Sequence, residues 1–589
     1  MTDIAVHPTA PVRDVAGVEA VSLWLTALSE AIASRNTGLL AGLFRADAVA
    51  RDLLALSWDF RNGVGRDEIV ALLGAEDTAA PRELAVRAGS GPTTTEDSAE
   101  AFLTFSNAMG DGNGYVRLAR NDEGAWEAAA FVLVLDALDS HTERVGADRP
   151  AGRKHGPMFD RVGWAEQRDT ECVNGDPAVV ILGAGHNGLM LAARLGALGI
   201  RALIVEQNDR VGDNWRKRYS SLALHTPLES DTFPYLPFPP TWTKFTPKDK
   251  LADFLECYAT LLDLNVWTGS RVENARFDET TRTWGLDVVR PDGTRRHLAP
   301  RHFVFATGIN AEPRLPELPG REGFEGTLIH AVDYQGHQGW RGKKAVVVGS
   351  GVSGHDLAQD LAEHGADVTM IQRSGTLVMN TETFHQVMHG NHVGGRYAVE
   401  DADLVNAATP MGALPEYFGA QQRETANAAD RELLESLTAV GFELDDGPGG
   451  QGALGLIYGL NGTGYYYNAG ASELIADGTI ALQHGSVERL TTTGVQLSDG
   501  RVLDADLVVF ATGYDGAPTK VRQVLGADVA DRLGAFADVG EDREYGLLWR
   551  DCGIDRLWLM ISLSIGDGRF YSKLLALQIA AQEAKTSAK

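Results

Sequence analysis

The first 140 positions begin with hydrophobic residues at helical spacing and continue with strand-like hydrophobic segments. An amphipathic helix is predicted where apolar residues recur every three or four positions, at Val18, Val21, Leu25, Leu28 and Ile32. Asn36 suits the N-cap of a second, shorter helix. Strand-like segments then follow, at 83–88, 101–105, 114–119 and 125–136. Helices followed by an antiparallel sheet predict a small α+β domain over residues 1–140.

From residue 176 onwards, apolar strands alternate with helices. The run VVIL at 179–182 leads into a glycine-rich turn, a helix of small residues and a second apolar strand. AVVV at 345–348 begins the same arrangement. Such strand–helix–strand units form parallel sheets that bind dinucleotides. Between the two parts of the chain, residues 141–175 are polar and aperiodic, which predicts a linker.

The first glycine-rich turn has the spacing G-x-G-x-x-G, through Gly183, Gly185 and Gly188. The first glycine permits a tight turn, the second lets the backbone approach a pyrophosphate, and the third lets the helix pack closely on its strand. Glu206 ends the second strand, where its carboxylate can accept hydrogen bonds from ribose hydroxyls and would repel a 2′-phosphate. This cleft therefore predicts FAD or NAD rather than NADP.

The second glycine-rich turn repeats the fingerprint through Gly349, Gly351 and Gly354, with Ser353 inside it. Here the second strand ends in Arg373 instead of an acid. A guanidinium at this point can bind a 2′-phosphate through two hydrogen bonds, and the hydroxyl of Ser374 can add a third. The second cleft therefore predicts NADPH.

Composition narrows the partners and the compartment. The chain of 589 residues carries a formal net charge of −27, which argues against nucleic acid or an anionic membrane as a partner. Its three cysteines are far apart, so no metal site is predicted and a reducing cytosol is favoured. The first 15 residues lack the features of a secretory signal, and no apolar run is long enough to span a bilayer. We therefore expect a cytoplasmic protein, and a homodimer stays open.

Two segments resemble the class B flavin monooxygenases, which include the flavin-containing monooxygenases and the YUCCA-type enzymes. FEGTLIHAVDY at 324–334 matches the identifying motif F-x-G-x-x-x-H-x-x-x-[FY]. VGDNWRKRYSSLALHTP at 211–227 is similar to the family's loop beside the flavin. The resemblance extends over about residues 176–589 and implies FAD and NADPH as cofactors.

The resemblance also implies roles for particular residues. Asn214 and His330 become candidates for the catalytic centre, Asn214 as a group that stabilises the oxygenated flavin and His330 as a link between the two domains. A C-terminal helix near 568–579 is expected to direct its N-terminus at the flavin ring. The remaining cofactor contacts implied are Trp215, Arg216, His225, Phe570, and the two Ala-Thr-Gly segments that cross between domains, represented by Ala306, Thr307, Gly308, Thr512 and Gly513.

The implied reaction is a single-component oxygenation. NADPH reduces FAD, dioxygen adds at C4a to give a (hydro)peroxyflavin, and one oxygen atom passes to a small organic substrate. N- or S-oxygenation and Baeyer–Villiger or decarboxylative oxygenation all stay open. So do an NADPH oxidase that releases hydrogen peroxide and a non-catalytic sensor that keeps FAD structurally. A pyridine-nucleotide disulfide reductase is disfavoured because no pair of cysteines lies close in the sequence.

The first 140 residues resemble SnoaL-like domains, which form a cone whose mouth often holds a small molecule. This resemblance implies that Asp52, Trp58 and Asp59 either line a pocket or belong to the filled cone and its surface. We expect the second of these and regard the domain as a docking module that helps to close the substrate entrance. The insert at 375–485 is either a substrate-binding element or a packing flap.

The predicted fold class is thus α/β, a flavoprotein with two Rossmann-like dinucleotide-binding domains and an N-terminal α+β cone. The predicted boundaries are 1–140 for the SnoaL-like domain, 141–175 for the linker, 176–339 for the first part of the FAD domain, 340–500 for the NADPH domain with its insert, and 501–589 for the second part of the FAD domain.

Overall fold

The computed structural model describes residues 16–152, 155–170, 172, 175–310, 312–458, 464–536, 538–562 and 564–587. The 15 N-terminal residues considered above as a signal lie outside these ranges. The N-terminal domain and the segment after it contain α1 (Gly17–Ser34), α2 (Thr37–Leu43), β1 (Phe44–Leu53), β2 (Phe60–Val64), α3 (Arg66–Gly74), β3 (Arg82–Val86), β4 (Thr93–Thr94), β5 (Ser98–Ser106), β6 (Asp111–Arg120), β7 (Trp126–Leu135) and α4 (Trp164–Thr170).

The N-terminal domain has three helices on one face of a mixed sheet. Strands β2-β1-β7-β6-β5-β3 follow one another in that order, and β4 pairs with β5. The predicted first helix is present, and Asn36 caps α2 by accepting a hydrogen bond from the Leu39 amide (3.0 Å). β1 was not foreseen, because its alternating residues follow α2 without a turn signal. The helix-covered face is filled by aromatic side chains in edge-to-face contact, Trp24, Phe44 and Phe131.

The first α/β unit follows the predicted pattern of strands and helices. Its elements up to residue 313 are β8 (Val179–Leu182), α5 (His186–Ala197), β9 (Ala202–Val205), α6 (Asp213–Arg216), α7 (Lys248–Leu261), β10 (Asn265–Trp267), β11 (Arg271–Asp278), β12 (Thr283–Val289), β13 (Arg295–Leu298), β14 (His302–Phe305) and β15 (Glu312–Pro313).

The rest of the chain contains the second unit, the insert and the C-terminal helix. Its elements are β16 (Thr327–His330), β17 (Lys344–Val348), α8 (Val352–Glu363), β18 (Asp367–Gln372), β19 (Thr376–Asn380), α9 (Thr381–His389), α10 (Val399–Ala407), α11 (Leu414–Ala429), α12 (Arg431–Ala439), α13 (Gly452–Tyr458), β20 (Gly464–Asn468), α14 (Ala471–Ala476), β21 (Ile480–His484), β22 (Val487–Leu490), β23 (Gly494–Leu497), β24 (Val502–Asp504), β25 (Leu507–Phe510), β26 (Tyr514–Asp515), α15 (Ala517–Leu525), α16 (Ala527–Leu533), β27 (Leu557–Leu559) and α17 (Ile565–Ser587).

Two five-stranded parallel sheets form the two units. The first has the order β10-β9-β8-β14-β27 and the second the order β16-β25-β17-β18-β21. β16 and β25 thus belong to the second sheet, although the sequence analysis placed both outside 340–500. The apolar runs of these strands gave no indication of which sheet they would join, since a parallel strand is buried on both faces in either position.

The outer face of the N-terminal sheet is buried against the first unit. One continuous hydrophobic cluster contains Val49, Phe60 and Val132 from that sheet together with the β8 and β14 strands of the first unit. The helix-covered face of the same sheet forms a separate cluster. The N-terminal domain therefore shares a core with the flavoprotein part of the chain. Among the described residues, no helix is both long and apolar enough to cross a membrane.

Candidate active site between the two clefts

The first glycine-rich loop lies at the carboxyl end of β8, where the chain turns into α5. Gly183 has φ +108°, and a Cβ at this position would lie 2.6 Å from the Ala306 carbonyl oxygen. A Cβ at Gly188 would lie 2.1 Å from the Gly183 carbonyl oxygen. At Gly185, by contrast, the nearest atom would be the Asn214 amide nitrogen at 3.9 Å. The backbone is thus closely packed at Gly183 and Gly188, whereas the side of the loop at Gly185 has open space, as a bound pyrophosphate requires.

Glu206 is buried beneath this loop at the end of β9. Its carboxylate accepts hydrogen bonds from the Ala184 amide and from both the backbone and the side-chain nitrogen of Asn208, each at 2.8 Å. A carboxylate offers about four acceptor positions. One position is therefore still available for a ribose hydroxyl, which agrees with the predicted role of Glu206.

The short helix α6 places the predicted flavin neighbours in different surroundings. Asn214 is exposed with its amide beside Gly185, at the pyrophosphate side of the cleft. The indole nitrogen of Trp215 and the hydroxyl of Thr307 are buried and have no hydrogen-bond partner in the part of the chain that the structure describes. Arg216 is engaged with the acids Asp253 and Glu256 of α7, at 2.9 and 3.0 Å. Trp215 and Thr307 therefore fit a polar ligand in this cleft, whereas the guanidinium of Arg216 is already paired.

The second glycine-rich loop has nearly the same backbone geometry. Gly349 has φ +116°, and its Cβ would lie 2.6 Å from the Ala511 carbonyl oxygen. A Cβ at Gly354 would lie 2.0 Å from the Gly349 carbonyl oxygen. In front of Gly351 the nearest atom to such a Cβ is the Tyr465 carbonyl oxygen, at 3.9 Å. The insert therefore contributes β20 to the wall of this cleft.

Arg373 and Ser374 follow β18 at the edge of the second cleft. Both side chains are exposed, and Arg373 has no hydrogen bond or ion pair within the described ranges. Ser353 lies half-buried in the first turn of α8. A free guanidinium beside an open glycine loop fits a 2′-phosphate. The structure thus brings the predicted NADPH contacts together at one edge of the second sheet.

His330 lies at the end of β16 and joins the second sheet to the crossing segments. Its Nδ1 accepts a hydrogen bond from the Val332 amide, so Nε2 carries the proton and donates to the Gly513 carbonyl oxygen, both at 3.1 Å. Burial lowers the pKa of this imidazole, which favours its neutral form. Both nitrogens are therefore in use, which supports the linking role and leaves no free nitrogen for proton transfer.

The two Ala-Thr-Gly segments are joined by a short antiparallel ribbon. β15 pairs with β26, and the Arg314 amide donates to the Gly513 carbonyl oxygen (3.0 Å). The Thr512 hydroxyl donates to the Arg314 carbonyl oxygen. Gly308 and Gly513 both have positive φ values, +76° and +78°, where the two chains turn out of their sheets. This ribbon fixes the position of one dinucleotide unit relative to the other.

His225 lies at the contact between the two units. Its Nε2 is 3.8 Å from a carboxylate oxygen of Asp356 on α8, and Tyr219 donates its hydroxyl to the same carboxylate. The His225 carbonyl oxygen also lies 2.6 Å from Nε2 of His385 in the insert. The loop at 211–227 thus contacts the NADPH unit as well as the first cleft. Asp356, which sequence reasoning missed, lies one turn beyond Ser353.

A cavity of 1040 Å³ lies beside the first cleft. Its walls come from five parts of the chain: the N-terminal sheet, the loop that contains Thr226 and Ser230, the segment after β14, the insert and α17. Representative lining residues are Glu100, Tyr115, Ile309, Phe384, Tyr467 and Phe570. This volume is at the upper end of ligand sites in proteins.

The cavity and the first glycine loop share the N-terminal end of α17. The Ser562 hydroxyl donates to the Asn187 side-chain oxygen at the start of α5 (2.7 Å), and a Cβ at Gly568 would lie 2.5 Å from that oxygen. Asp567, between these contacts, lines the cavity, and burial raises the pKa of its carboxyl group. Sequence reasoning missed Asp567, although its position between two glycines was a signal of close packing.

Arg51 fixes the N-terminal sheet to the flavoprotein part. Its side chain extends from β1 and is 2% exposed, as is that of its partner Glu544. The guanidinium donates to Glu544 (Nε–Oε1 2.8 Å), to the Tyr571 hydroxyl of α17 (3.0 Å) and to the Ala407 carbonyl oxygen (3.3 Å). Removing one partner of such a buried pair costs about 3–5 kcal/mol. The N-terminal domain is thus joined through Arg51 to the helix that lines the cavity.

The residues proposed for the mouth of the cone do not line this cavity. Asp52 is buried and accepts hydrogen bonds from the amides of Ala55, Leu56 and Ser57, so it closes the turn after β1. Trp58 has φ +57° and packs half-buried against the shared core. Asp59 accepts from the Phe60 amide (2.8 Å). Asp59 is exposed, as expected, but the expectation was wrong for Asp52, which is 1% exposed because its carboxylate closes the turn, and for Trp58, which packs against the shared core and not inside the cone. The SnoaL-like assignment itself stays a prediction.

Comparisons with known proteins agree with the geometry of the two clefts. The family described as pyridine nucleotide-disulphide oxidoreductase matches residues 177–393. The three cysteines all lie among the described residues and none forms a disulfide; Cys172 and Cys552 are buried and Cys257 is exposed. The match therefore reflects the two-dinucleotide architecture without a redox disulfide.

Similarity to individual curated proteins indicates a narrower class than the family match does. Indole-3-pyruvate monooxygenase YUCCA1 of Oryza sativa subsp. japonica is 33% identical over 343 residues, which cover 57% of this chain and 77% of the relative. Probable indole-3-pyruvate monooxygenase YUCCA9 of Arabidopsis thaliana is 33% identical over 358 residues, 60% of this chain and 77% of the relative. A crystal structure of OTEMO in complex with FAD and NADP shares the fold, with a TM-score of 0.50 at 16% identity over 70% of this chain and 87% of that one.

Proposed function

This chain belongs to the class B flavin-dependent monooxygenases, and we propose that it oxygenates a small organic molecule held in the 1040 Å³ cavity. Its cofactors are FAD and NADPH. When bound, they supply reducing equivalents and the activation of dioxygen. The observation that carries the proposal is the position of the cavity, which reaches the N-terminal end of α17 directly beside the first glycine loop.

The first cleft holds FAD in this proposal. Gly185 leaves room for the pyrophosphate, Glu206 accepts from the ribose, and the unpartnered polar atoms of Trp215 and Thr307 face a ligand. α17 directs the positive end of its dipole towards the same region, where it stabilises negative charge on a reduced cofactor. Asp567 in its first turn lines the cavity, where burial raises the pKa of its carboxyl group.

The second cleft holds NADPH, with Arg373 and Ser374 on the 2′-phosphate. His330, the ribbon of β15 and β26, and the contact of His225 and Tyr219 with Asp356 keep this cleft in a fixed position relative to the first. These contacts position the two cofactors relative to each other. Such positioning matters because a hydride moves between cofactors only when the reacting atoms come within about 3–3.5 Å.

The cavity favours a monooxygenase over an NADPH oxidase or a sensor. An oxidase needs access only for dioxygen, whereas this space accommodates a drug-sized molecule. Its walls combine aromatic rings of the insert, such as Phe384 and Tyr467, with polar groups of the N-terminal sheet, such as Glu100 and Tyr115. We therefore propose an amphipathic organic substrate whose apolar part lies against the insert.

The first test measures where the reducing equivalents go. The purified holoenzyme is supplied with NADPH and oxygen together with N,N-dimethylaniline, thioanisole, cyclohexanone or indole-3-pyruvate. Product formation and hydrogen peroxide are then quantified against NADPH consumed. Product that accounts for most of the NADPH with one class of substrate supports the proposal and identifies the reaction type. Peroxide equal to NADPH with every probe, in a protein that binds both cofactors, would favour an oxidase.

A second test asks whether the N-terminal sheet is a wall of the substrate site. Deleting the domain would leave Glu544 buried and unpaired and would expose the shared core, so a point variant is more informative. Ser98 lines the cavity, whereas Ser106 lies on the same face of β5 outside it. We expect Ser98→Trp to change kcat/KM for the accepted probe by about tenfold, equal to 1.4 kcal/mol, while flavin content stays unchanged.

Ser106→Trp is the matched control for that test. It places an indole on the same strand and face, so it should leave kcat/KM unchanged. Equal effects of the two variants would show that the sheet acts through stability. No effect of either would remove the N-terminal domain from the substrate site.

A further inference from the structure

A cluster of His337, Asp360 and His364 lies away from both clefts and plays no part in the function proposed above. His337 follows the hinge motif by three residues, Asp360 belongs to α8, and His364 caps the end of that helix. One potential ligand atom of each residue lies within 4.8 Å of the other two. We propose that these three residues form a Zn²⁺ site that joins the loop after the hinge motif to α8.

Distances in the cluster suit a tetrahedral ion. The His337 Nδ1 lies 3.4 Å from Asp360 Oδ1, and the His364 ring approaches the same oxygen, with Nδ1 at 3.5 Å. Zinc binds histidine nitrogen and carboxylate oxygen at about 2.0–2.2 Å, so two ligands on a tetrahedron are about 3.4 Å apart. The separation of His337 Nδ1 from Asp360 Oδ1 is therefore that of two ligands around a shared zinc ion, and the His364 ring lies beside the same oxygen.

One atom of the cluster lacks a partner that such an ion would supply. The His337 Nδ1 is buried and, within the described residues, accepts or donates no hydrogen bond. Its imidazole stacks on that of His364 with ring centroids 3.3 Å apart and planes at 4°. A buried imidazole nitrogen without a hydrogen-bond partner is available to a metal ion.

The surroundings of the cluster resemble the outer shell of a metal site. Tyr334 of the hinge motif donates its hydroxyl to the second oxygen of Asp360 (2.7 Å), which orients the carboxylate. The His364 Nδ1 lies 2.7 Å from the Asp360 carbonyl oxygen, and donation to it fixes the tautomer that presents Nε2. Metal-bound carboxylates and histidines commonly have such supporting hydrogen bonds.

Binding requires a small rearrangement of the two rings. A metal ion lies in the plane of an imidazole, so the stacked rings must rotate apart to share one ion. The side chains of His337 and His364 are 30% and 40% exposed, which leaves space for that rotation and for water as a fourth ligand. Asp360 is 4% exposed and fixed by Tyr334, so it serves as the rigid ligand.

The site would stiffen the connection between the hinge and the NADPH cleft. Its ligands come from both sides: His337 from the loop that follows His330 and Tyr334, and Asp360 and His364 from the helix that starts at the second glycine loop. Binding to the folded state alone raises the melting temperature in proportion to the logarithm of free zinc. The sequence analysis predicted no metal from the cysteines alone. His337, Asp360 and His364 are 23 and 4 positions apart, which matches no zinc-binding spacing.

The test uses full-length holoenzyme treated with EDTA and then dialysed. ZnCl₂ is titrated against a chromophoric chelator, and CoCl₂ serves as a visible-light probe of tetrahedral coordination. We expect a single Zn²⁺ per chain, and a loss of affinity of at least about 10–100-fold in His337→Gln and in His364→Gln, since outer-shell changes alone have effects of this size. FAD content, measured by absorbance, verifies that each variant is folded.

His297→Gln is the matched control. His297 is exposed and paired with Asp287 (3.0 Å), but no third ligand belongs to that pair among the residues described. Zinc binding that persists in His297→Gln and disappears in the two other variants would establish the site. No stoichiometric zinc in the wild type, or equal binding by all variants, would show that the cluster is only a stacked histidine pair beside an acid.

Discussion

The two dinucleotide clefts have almost the same backbone geometry in their glycine-rich loops. They differ in the residue that follows the second strand of each unit. Gly183 and Gly349 have φ values of +108° and +116°, and a Cβ on either would lie 2.6 Å from a carbonyl oxygen of the neighbouring crossing segment. Yet β9 ends in a buried acid, Glu206, that receives three hydrogen bonds, whereas β18 is followed by an exposed and unpaired Arg373. In our proposal, the turn therefore sets the place of the pyrophosphate, and one side chain sets which ribose is accepted.

Their surroundings differ as well. The first cleft opens towards α17 and the substrate cavity, while the second is bordered by β20 of the insert. An electron carrier that meets both substrate and oxygen needs the first environment, and a donor that only delivers a hydride can occupy the second. The predictions below test this division, beginning with the largest expected effect.

Matched substitutions at the first glycines should separate the two cofactors. Valine at a φ near +110° is strained and meets a backbone oxygen, so each loop must move. We expect Gly183→Val to purify without FAD, and Gly349→Val to retain FAD that NADPH no longer reduces. Absorbance spectra and anaerobic reduction with NADPH measure both. Gly196→Val is the control, because nothing lies within 4 Å of its added Cβ.

An FAD-containing Gly183→Val protein would contradict the assignment of the first cleft. Loss of FAD from both variants to the same extent would mean that the second loop supports FAD as well.

Arg373→Ala should raise KM for NADPH by about 10–100-fold, because a charge-assisted hydrogen bond contributes about 1.5–3 kcal/mol. KM for NADH should stay within about twofold, since NADH lacks the 2′-phosphate that Arg373 binds in our assignment. Steady-state kinetics with the two nucleotides on one preparation make NADH the internal control. A parallel increase for both would show that Arg373 does not bind the phosphate.

His330→Ala should slow flavin reduction by NADPH by about tenfold while FAD stays bound. The variant removes the hydrogen bond to Gly513 that fixes the crossing segment, and a small displacement between cofactors has an effect of this size or larger. Rapid-mixing absorbance measures the reduction rate. Because burial lowers the pKa of His330, its protonation should affect the wild-type rate only at pH values below the usual range of histidine.

A reduction rate unchanged in His330→Ala would leave the hinge motif without a role in coupling. His297→Ala, in an exposed hairpin, controls for the loss of an imidazole as such.

Much of the site was predictable because it depends on local patterns. The glycine spacing, Glu206 and Arg373 each occupy a fixed position in a strand–turn–helix unit, so their relative placement follows from the sequence of that unit. The same holds for α1 and for the Asn36 cap. His330 was singled out by a motif whose spacing is complete, and its linking role stays a prediction.

Other features depend on contacts between distant segments. Arg51 and Glu544 are 493 positions apart, and neither lies in a recognisable motif, so their buried pair was not predicted. The same applies to Asp356, which meets Tyr219 across 137 positions, and to the histidine–aspartate cluster beside the hinge. Arg216 shows the opposite case: the motif placed it near the flavin, but acids on α7 engage its guanidinium.

The sequence by itself determined two glycine-rich strand–turn–helix units and the residue that follows each second strand, from which the cofactor of each cleft is predicted, because these features act within about 30 residues. Only the tertiary structure decided that β16 and β25 complete the second sheet, that the outer face of the N-terminal sheet enters the main core, and that this sheet forms a wall of the cavity. The physical reason is that the hydrophobic effect is not directional. The pattern of apolar residues therefore predicts that a face is buried, whereas the packing of whole domains decides which segment buries it.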